Sequence, residues 1–333
     1  MSITILFGGV NRERLVAVAS AQSLARALPD ADLWYWAPNG QVHAATRDVL
    51  LGHDRPFEID LPTEGAAIGD IEAAVALAAR ENRTLLLGLH GGMAENGELQ
   101  TLCEAKGVAF TGSGAAASRV AFDKPAAKAA AAKAGVTSPL GVALEDAETA
   151  LAQYGRLVAK PAADGSSYGL IFVDGPSDLE RLRAAAATEA YVIEPFVAGQ
   201  ESTCGVLERA DGSLIALPPV EILPAEGVFD YQAKYLSAGT RELCPSTFPP
   251  DIVAALQENA LKAHRAVGAA GYSRSDFIIT DKGPVFLEIN TLPGMTASSL
   301  YPKSLKAEGI GFADFLRGQI DLARARARKA VVA

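Results

Sequence analysis

Two acidic side chains in the last third of the chain occur at a spacing that could hold a divalent cation. The segment 274–290 has the sequence RSDFIITDKGPVFLEIN. Residues 281–283 predict a tight hairpin turn, because the glycine at its end permits a positive φ. If the turn is centred in the middle of that tripeptide, Asp276 lies directly opposite Glu288 on the neighbouring strand.

Side chains alternate along a strand, so Asp276, Glu288 and Asn290 are predicted to share one face of this hairpin. The opposite face would carry Val285, Leu287 and Ile289. Two facing carboxylates repel, and a glutamate inside an apolar run costs free energy to bury. A cation offsets both costs, and oxygen ligands suit Mg²⁺, which commonly shares its coordination with phosphates. The hairpin therefore predicts a magnesium site; a solvated polar face is the alternative.

A second segment has residues suited to phosphate binding. Lys160 ends a predicted strand at 156–160, and the loop Gly165-Ser166-Ser167 follows it with backbone N–H groups and hydroxyls. An ordinary turn is the alternative for such a loop. Together with the hairpin, the loop favours phosphoryl transfer. The patterns of P-loop, dinucleotide-binding and kinase sites do not occur in the sequence.

The first third of the chain alternates between strands and helices. An apolar periodicity of three to four residues after Gly8-Gly9 predicts a helix, and residues 71–80 predict another. The predicted strands are 3–7, 33–36, 84–89 and 108–110. This alternation predicts an α/β fold with a parallel sheet whose ligands collect at the carboxyl ends of the strands. His90 follows one such end, with a structural histidine as the alternative, and Glu13 lies near the start of the first helix.

The composition turns alanine-rich after Gly112, which indicates a new domain. That domain is predicted to contain a helix at 126–135 and, beyond it, strands at 156–160, 169–173 and 191–197 with a helix at 177–187. The last part is predicted to end in an amphipathic helix with Phe312, Phe315, Leu316 and Ile320 facing inward. The resulting division is 1–112, 113–197 and 198–333.

Composition and charge exclude several classes of function. The 333 residues are 49% hydrophobic and carry a net charge of −9, which disfavours nucleic acid as a partner. No apolar run reaches the roughly eighteen residues that indicate a membrane span. The first residues lack the features of a signal peptide, and the three cysteines lack metal-ligand spacing. These features predict a cytoplasmic protein.

Several motifs in order resemble the D-alanine:D-alanine ligases of the ATP-grasp superfamily, and the resemblance extends over most of the chain. The motifs are Leu89-His90-Gly91, Glu95-Asn96-Gly97-Glu98-Leu99-Gln100, Phe110 to Ser113, Asp123-Lys124, Lys160-Pro161, Gly165 to Gly169, Phe229 to Tyr235, Glu288 to Thr296 and Ser299 to Pro302. The chain departs from the family pattern at Leu15-Val16-Ala17 and at Ala94. Tyr235 matches the members that form a dipeptide rather than an ester.

The resemblance implies a three-domain ATP-grasp architecture with ATP between the second and third domains, and a lid around 229–236. It implies ATP contacts from Lys124, Lys160, Ser167, Glu194, Glu201 and Lys234, and catalytic roles for Glu13, Ser166, Tyr235 and Arg274. His90, Gly294, Ser299 and Leu300 would bind the amino-acid substrates, and Asp276, Glu288 and Asn290 would bind Mg²⁺ or Mn²⁺, with two ions expected.

The activity that the resemblance implies is ligation of two D-alanines through an acyl phosphate, for peptidoglycan precursor synthesis. D-alanine and ATP would be the partners, and the chain would form a homodimer. An ATP-grasp ligase that makes a different dipeptide or amide is the alternative. A silent ATP-binding module and a nicotinamide dehydrogenase that uses Gly8-Gly9 are hypotheses of other classes.

Overall fold

A computed structural model of the chain describes residues 2–163, 165, 169–223 and 240–332. Its helices are α1 (Arg14–Ala27), α2 (Arg47–Leu51), α3 (Ile71–Arg80), α4 (Glu98–Ala105), α5 (Ala115–Phe122), α6 (Lys124–Lys133), α7 (Ala147–Tyr154), α8 (Pro176–Ala186), α9 (Pro250–Ala266), α10 (Leu300–Ala307) and α11 (Phe312–Val332). Short 3-10 helices occur at Gly92–Ala94 and Leu144–Asp146. The α/β class predicted from the sequence is confirmed by these helices and the sheets described next.

The first sheet contains six strands in the order β4-β3-β2-β1-β5-β6. They are β1 (Ile3–Gly8), β2 (Asp32–Trp36), β3 (Gln41–Ala45), β4 (Ala67–Asp70), β5 (Thr84–Leu89) and β6 (Ala109–Phe110). The pairs β1–β2, β1–β5 and β5–β6 are parallel, as predicted, so the carboxyl ends of these strands lie at one edge. Helix α1 packs on β1 and β5, and its central part from Val16 to Ala21 is buried all round, mostly as alanine and valine.

The first sheet also has two antiparallel strands that were not predicted, because β3 pairs antiparallel with β2 and β4 pairs antiparallel with β3. The reason is the turn at Asn39-Gly40, where Gly40 has φ +84 and its N–H donates to the Ala37 carbonyl at 2.9 Å. An Asn-Gly pair favours a tight reversal, which turns the chain back beside β2 instead of into a helix. The two added strands lie beyond β2, away from β1 and β5, whose carboxyl ends are followed by the predicted site residues.

The second sheet has three antiparallel strands in the order β8-β7-β9, and the third is built on β10, β14 and β15 with β11, β12 and β13 beside them. The strands are β7 (Leu157–Pro161), β8 (Ile171–Val173), β9 (Tyr191–Pro195), β10 (Gln200–Glu208), β11 (Leu214–Ala216), β12 (Val220–Leu223), β13 (Arg241–Leu243), β14 (Tyr272–Thr280) and β15 (Gly283–Asn290). Each sheet falls within one of the three predicted segments, and that division remains a proposal.

Hydrophobic packing ties these segments together. Ala127 and Ala131 of α6 share a buried cluster with Phe277 and Phe286 of the third sheet. The terminal helix α11 buries Phe315, Leu316 and Ile320, as predicted, in the cluster that also holds the core of the first sheet. Within the described part of the chain, no helix is long and apolar enough to cross a membrane.

The hairpin of β14 and β15 places Asp276 opposite Glu288, which confirms the predicted pairing. The turn consists of residues 281 and 282, so it is centred between them and not on residue 282 as predicted. A β-bulge adds one residue to β15 between Phe286 and Glu288, and this extra residue brings Glu288 opposite Asp276. Because of that bulge, the expectation that Leu287 faces away from the acidic side chains is wrong. Leu287 lines the same cavity as Glu288, and the neighbouring Phe286 is fully buried.

Candidate active site

A cavity of about 250 Å³ is lined by residues of the second and third sheets and of the segments that follow β1 and β5 in the first sheet. Every predicted site residue that the structure describes lines this cavity: Glu13, His90, Lys124, Lys160, Glu194, Glu201, Arg274, Asp276, Glu288, Asn290, Gly294, Ser299 and Leu300. The other predicted site residues, Ser166, Ser167, Lys234 and Tyr235, lie outside the described residues, as does the predicted lid at 229–236. The structure therefore brings together side chains that are up to 287 positions apart in the chain.

The carboxylate of Asp276 is held by three neighbours on the third sheet. The Nε and Nη2 atoms of Arg274 donate to its two oxygens, each at 2.8 Å, and Thr203 Oγ1 donates to Oδ1 at 2.7 Å. Asn290 Nδ2 lies 3.4 Å from Oδ2. These charge-assisted hydrogen bonds fix the carboxylate at the cavity wall.

Glu288 has a basic neighbour of its own, since Lys124 Nζ lies 3.8 Å from its carboxylate. The repulsion expected between Asp276 and Glu288 is thus offset in the structure by Arg274 and Lys124. Among the described residues, no group of three His, Cys, Asp or Glu side chains could hold a metal ion. The predicted set differs from such a group because its third member is the amide of Asn290.

The acidic side chain of Glu194, on β9, is almost fully buried with 1% exposure. Its Oε1 accepts a hydrogen bond from Lys128, and Lys160 Nζ lies 3.6 Å from Oε2. Burial, with the nearby charge of Lys160, lowers the pKa of Lys128 to about 8. The sequence analysis missed Lys128. The available signal was its position four residues after Lys124, which places both lysines on one face of α6.

The opposite end of the cavity is acidic and is formed by the loops that follow β1 and β5. Glu13 is 8% exposed, and a Cβ atom on Gly91, where φ is +65, would collide with its carboxylate. Glycine at that position therefore lets the backbone approach Glu13 closely. Glu13 precedes α1 as its N-cap residue, but its side chain does not cap the helix.

Glu95 also lines this end and was missed as a site residue, although it belongs to a motif noted in the sequence. Its carboxylate accepts a hydrogen bond from the Gly91 N–H at 2.9 Å. Burial, with the charge of Glu13, raises the pKa of Glu95 to about 8. At neutral pH this end of the cavity is thus able to hold a proton on Glu95 or to receive a cationic group.

His90 is fixed between the first sheet and the loop after β15. Its Nδ1 lies 2.9 Å from the Leu292 carbonyl oxygen, and its Nε2 lies 3.0 Å from Ser20 Oγ. Because a carbonyl only accepts, Nδ1 carries the proton and Nε2 accepts from the Ser20 hydroxyl. Burial lowers the pKa of His90 to about 4, so the ring is neutral at neutral pH.

The loop beyond Leu292 leads into the N-terminus of α10. Ser299 is the N-cap residue, and its hydroxyl accepts a hydrogen bond from the Thr296 N–H at 3.0 Å. Gly294 and Leu300 line the cavity beside it. Backbone N–H groups in the first turn of a helix lack intrahelical partners, so this helix end is suited to an anionic group such as a carboxylate.

An aromatic surface borders the cavity near Glu194 and was also missed from the sequence. Phe172 and Phe196 both line the cavity, with ring centroids 6.0 Å apart. The guanidinium of Arg156 lies 4.7 Å from each centroid and is also paired with Asp174 at 3.0 Å. Flat apolar rings of this kind can pack against a heteroaromatic base. Two isolated phenylalanines 24 positions apart gave no sequence signal.

Comparison with known families gives matches to two models of one enzyme family, one for its N-terminal part and one for its C-terminal part. The family model described as D-ala D-ala ligase N-terminus matches residues 2–113, and the model described as D-ala D-ala ligase C-terminus matches residues 143–321. A D-alanine--D-alanine ligase of Oleidesulfovibrio alaskensis is 41% identical, with 97% of this chain and 96% of the relative covered.

Solved structures of this family share the fold. The VanG D-Ala:D-Ser ligase of Enterococcus faecalis superposes with a TM-score of 0.77 at 26% identity, covering 97% of this chain and 99% of that one. The D-alanine--D-Alanine ligase of Bacillus anthracis complexed with ATP gives a TM-score of 0.72 at 26% identity, covering 99% and 98%. The three-domain ATP-grasp architecture expected from the sequence is that of these enzymes.

Proposed function

This chain belongs to the D-alanine–D-alanine ligase family, and we propose that it uses ATP to join two D-alanines into D-alanyl-D-alanine for peptidoglycan precursor synthesis. The observation that carries the proposal is that one cavity has an acidic end at Glu13 and Glu95 and a basic, aromatic end at Lys124, Lys160 and the two phenylalanines. An ammonium group and a nucleotide triphosphate are complementary to these two ends.

We propose that the nucleotide occupies the end between the second and third sheets. Lys124 and Lys160 supply positive charge for the phosphates, and Glu194 and Glu201 accept hydrogen bonds from the base and the ribose. The buried Oε2 atom of Glu194, which has no hydrogen-bond partner among the described residues, supports this placement. A ligand N–H group would satisfy it.

We further propose that magnesium binds in this cavity, with two ions as expected from the resemblance. Asp276, Glu288 and Asn290 would hold it, since two carboxylates and an amide oxygen are donors that Mg²⁺ prefers and all three line the same wall. When bound, the metal would offset the charge of the transferring phosphate. Arg274 and Lys124, which neutralise the two carboxylates in the structure, would then be released toward the phosphates.

We propose the following contacts for the two D-alanine substrates. Glu13 pairs with the ammonium of the first D-alanine, and the neutral ring of His90 lies beside it. Ser299 and the first N–H groups of α10, beginning at Leu300, bind the carboxylate of the second D-alanine.

The reaction then has two steps. The carboxylate of the first D-alanine attacks the γ-phosphorus, ADP leaves, and an acyl phosphate forms. The amine of the second D-alanine, after losing a proton, attacks the acyl carbon, and phosphate leaves. Arg274 and backbone N–H groups near Gly294 stabilise the oxyanion of that second step. Ser166, Tyr235 and Lys234 remain predicted contributors from the sequence alone.

The test is incubation of the purified chain with ATP, MgCl₂ and D-alanine, with released phosphate and product mass followed together. A product of the mass of a D-alanine dipeptide, formed in equal amount to phosphate, is expected. A parallel screen of other amino acids tests the alternative of a different dipeptide, for which the departure at residues 15–17 gives a reason. The predicted homodimer is tested by measuring the mass of the chain in solution by light scattering. The cytoplasmic location remains a prediction.

A further inference from the structure

Lys128 is a buried cation that the proposed mechanism does not use. Its side chain is 9% exposed and contacts Glu194, whose side chain is 1% exposed. Lys128 is absent from the described residues that line the cavity, whereas Glu194 is among them. Any effect of Lys128 on a ligand therefore acts through the carboxylate of Glu194.

The position of Lys128 is set by a well-anchored helix. Asp123 caps α6 by accepting a hydrogen bond from the Ala126 N–H at 2.9 Å. The backbone N–H of Lys124 donates to the Ala162 carbonyl at 3.1 Å, which fastens the start of α6 to the residues that follow β7. Lys124 and Lys128 are one turn apart, so the same face points toward Glu288 on the third sheet and Glu194 on the second.

The two oxygens of Glu194 have different surroundings. Oε1 accepts from Lys128, while Oε2 has no hydrogen-bond partner among the described residues and only the more distant Lys160 Nζ, at 3.6 Å. A buried carboxylate oxygen without a hydrogen bond is costly, and such atoms commonly receive one from a ligand. If Lys160 turns to the phosphates of a nucleotide, Lys128 is the cation that still contacts Glu194 and holds its carboxylate in place.

We propose that Lys128 is a positioning residue for purine recognition: it holds Glu194 so that Oε2 accepts a hydrogen bond from the exocyclic amino group of adenine. This inference rests on the proposed ATP site. Burial lowers the pKa of Lys128 to about 8, which leaves it mostly protonated at neutral pH and able to serve as the donor. A purine without that amino group would gain nothing from the arrangement.

The test compares ATP with purine riboside triphosphate, which lacks the 6-amino group, by calorimetric binding to the full chain with magnesium present and D-alanine absent. The variant Lys128→Met removes the donor and keeps the length of the side chain. We expect it to weaken ATP binding at least about tenfold, the loss typical of a hydrogen bond to a charged group, and to change binding of the analogue by less than about twofold. Lys128→Arg should restore most of the preference for ATP.

The matched control is Lys133→Met, which alters an exposed lysine at the end of the same helix and should leave both affinities unchanged. Equal weakening of both nucleotides by Lys128→Met would overturn the proposal and leave Lys128 a purely structural role; unchanged affinities would overturn it as well. If Lys128→Met does not fold, Lys128→Gln is measured in the same way. Failure of the parent chain to bind ATP would instead refute the proposed nucleotide site itself.

Discussion

The hydroxyl of Ser20 joins the first sheet to the loop that carries the predicted contacts of the second substrate. It donates to His90 Nε2 at 3.0 Å and accepts from the Met295 N–H at 3.3 Å. Ser20 has no exposed surface, and His90 in turn binds the Leu292 carbonyl. Replacing Ser20 with alanine removes both hydrogen bonds without adding bulk.

The expected loss of stability follows from these contacts. The variant leaves His90 Nε2 and the Met295 N–H without their observed partner, and each buried polar group left in that state costs about 1–3 kcal/mol. Alanine is the better helix former by roughly 0.5 kcal/mol, which partly offsets this loss because Ser20 lies within α1. We therefore expect Ser20→Ala to lower the free energy of unfolding by about 1.5–5.5 kcal/mol.

The assay is urea denaturation of parent and variant, with Ser118→Ala as the matched control. Ser118 is also buried within a helix, but its hydroxyl makes a single hydrogen bond of 3.4 Å to the Ser113 carbonyl. The control should therefore change stability by less than about 1 kcal/mol.

The same variant should also affect substrate binding. Because the loop beyond Met295 lines the second-substrate position, Ser20→Ala should raise the KM for the second D-alanine while the KM for ATP stays constant. Equal unfolding free energies for the two serine variants would refute the reasoning.

Three further variants test the site. Glu13→Gln should raise the KM of one D-alanine position and leave ATP affinity unchanged, since it removes the charge that pairs with the ammonium; a normal KM with a lowered melting temperature would contradict this. Burial raises the pKa of Glu95 to about 8 from 4.5, so its contribution to stability is complete below pH 4.5 and is lost as pH rises through about 8. Glu95→Gln should therefore flatten the fall in unfolding free energy across this interval, and a parallel pair of pH profiles would refute the assignment. Asp276→Asn should reduce turnover by orders of magnitude at limiting magnesium, and it should also destabilise the fold because Arg274 loses its charged partner.

The sequence predicted the hairpin well because its information is local. Asp276 and Glu288 are twelve positions apart, and the turn between them has a residue pattern with few alternatives. The bulge that moves Leu287 into the cavity was not predictable, since an extra residue in one strand leaves the alternation of side chains unchanged on either side. The edge strands β3 and β4 were missed for another reason, because the Asn39-Gly40 signal is short and the strands beside it are only half buried.

Lys128 and the phenylalanine pair show a different limit. The position of Lys128 on α6 is evident from the sequence, but its partner Glu194 is 66 positions away on another sheet. Whether Lys128 is exposed or buried depends on that long-range packing. Lysines are mostly exposed, so from the sequence alone a lysine on a helix is predicted to be exposed. The same holds for Phe172 and Phe196, whose rings meet edge to face on either side of the Arg156 guanidinium only in the folded chain. Family motifs found most of the residues proposed to touch ligands, and they missed Lys128, which is proposed to act through Glu194.

The charges of the site form pairs across the proposed roles, and this explains how so many of them can occupy one cavity wall. Arg274 is paired with Asp276, Lys124 with Glu288 and Lys160 with Glu194, so each of these three basic groups lies beside an acidic group proposed for metal or base. A buried charge without a counter-ion costs several kcal/mol, of the order of total stability. ATP with magnesium brings both signs of charge together. When both bind, each basic residue can pair with a phosphate and each acidic residue with the metal, so no charge of the site is left without a partner. A ligand of one sign alone would pair with the residues of opposite charge and leave the residues of its own sign buried without partners.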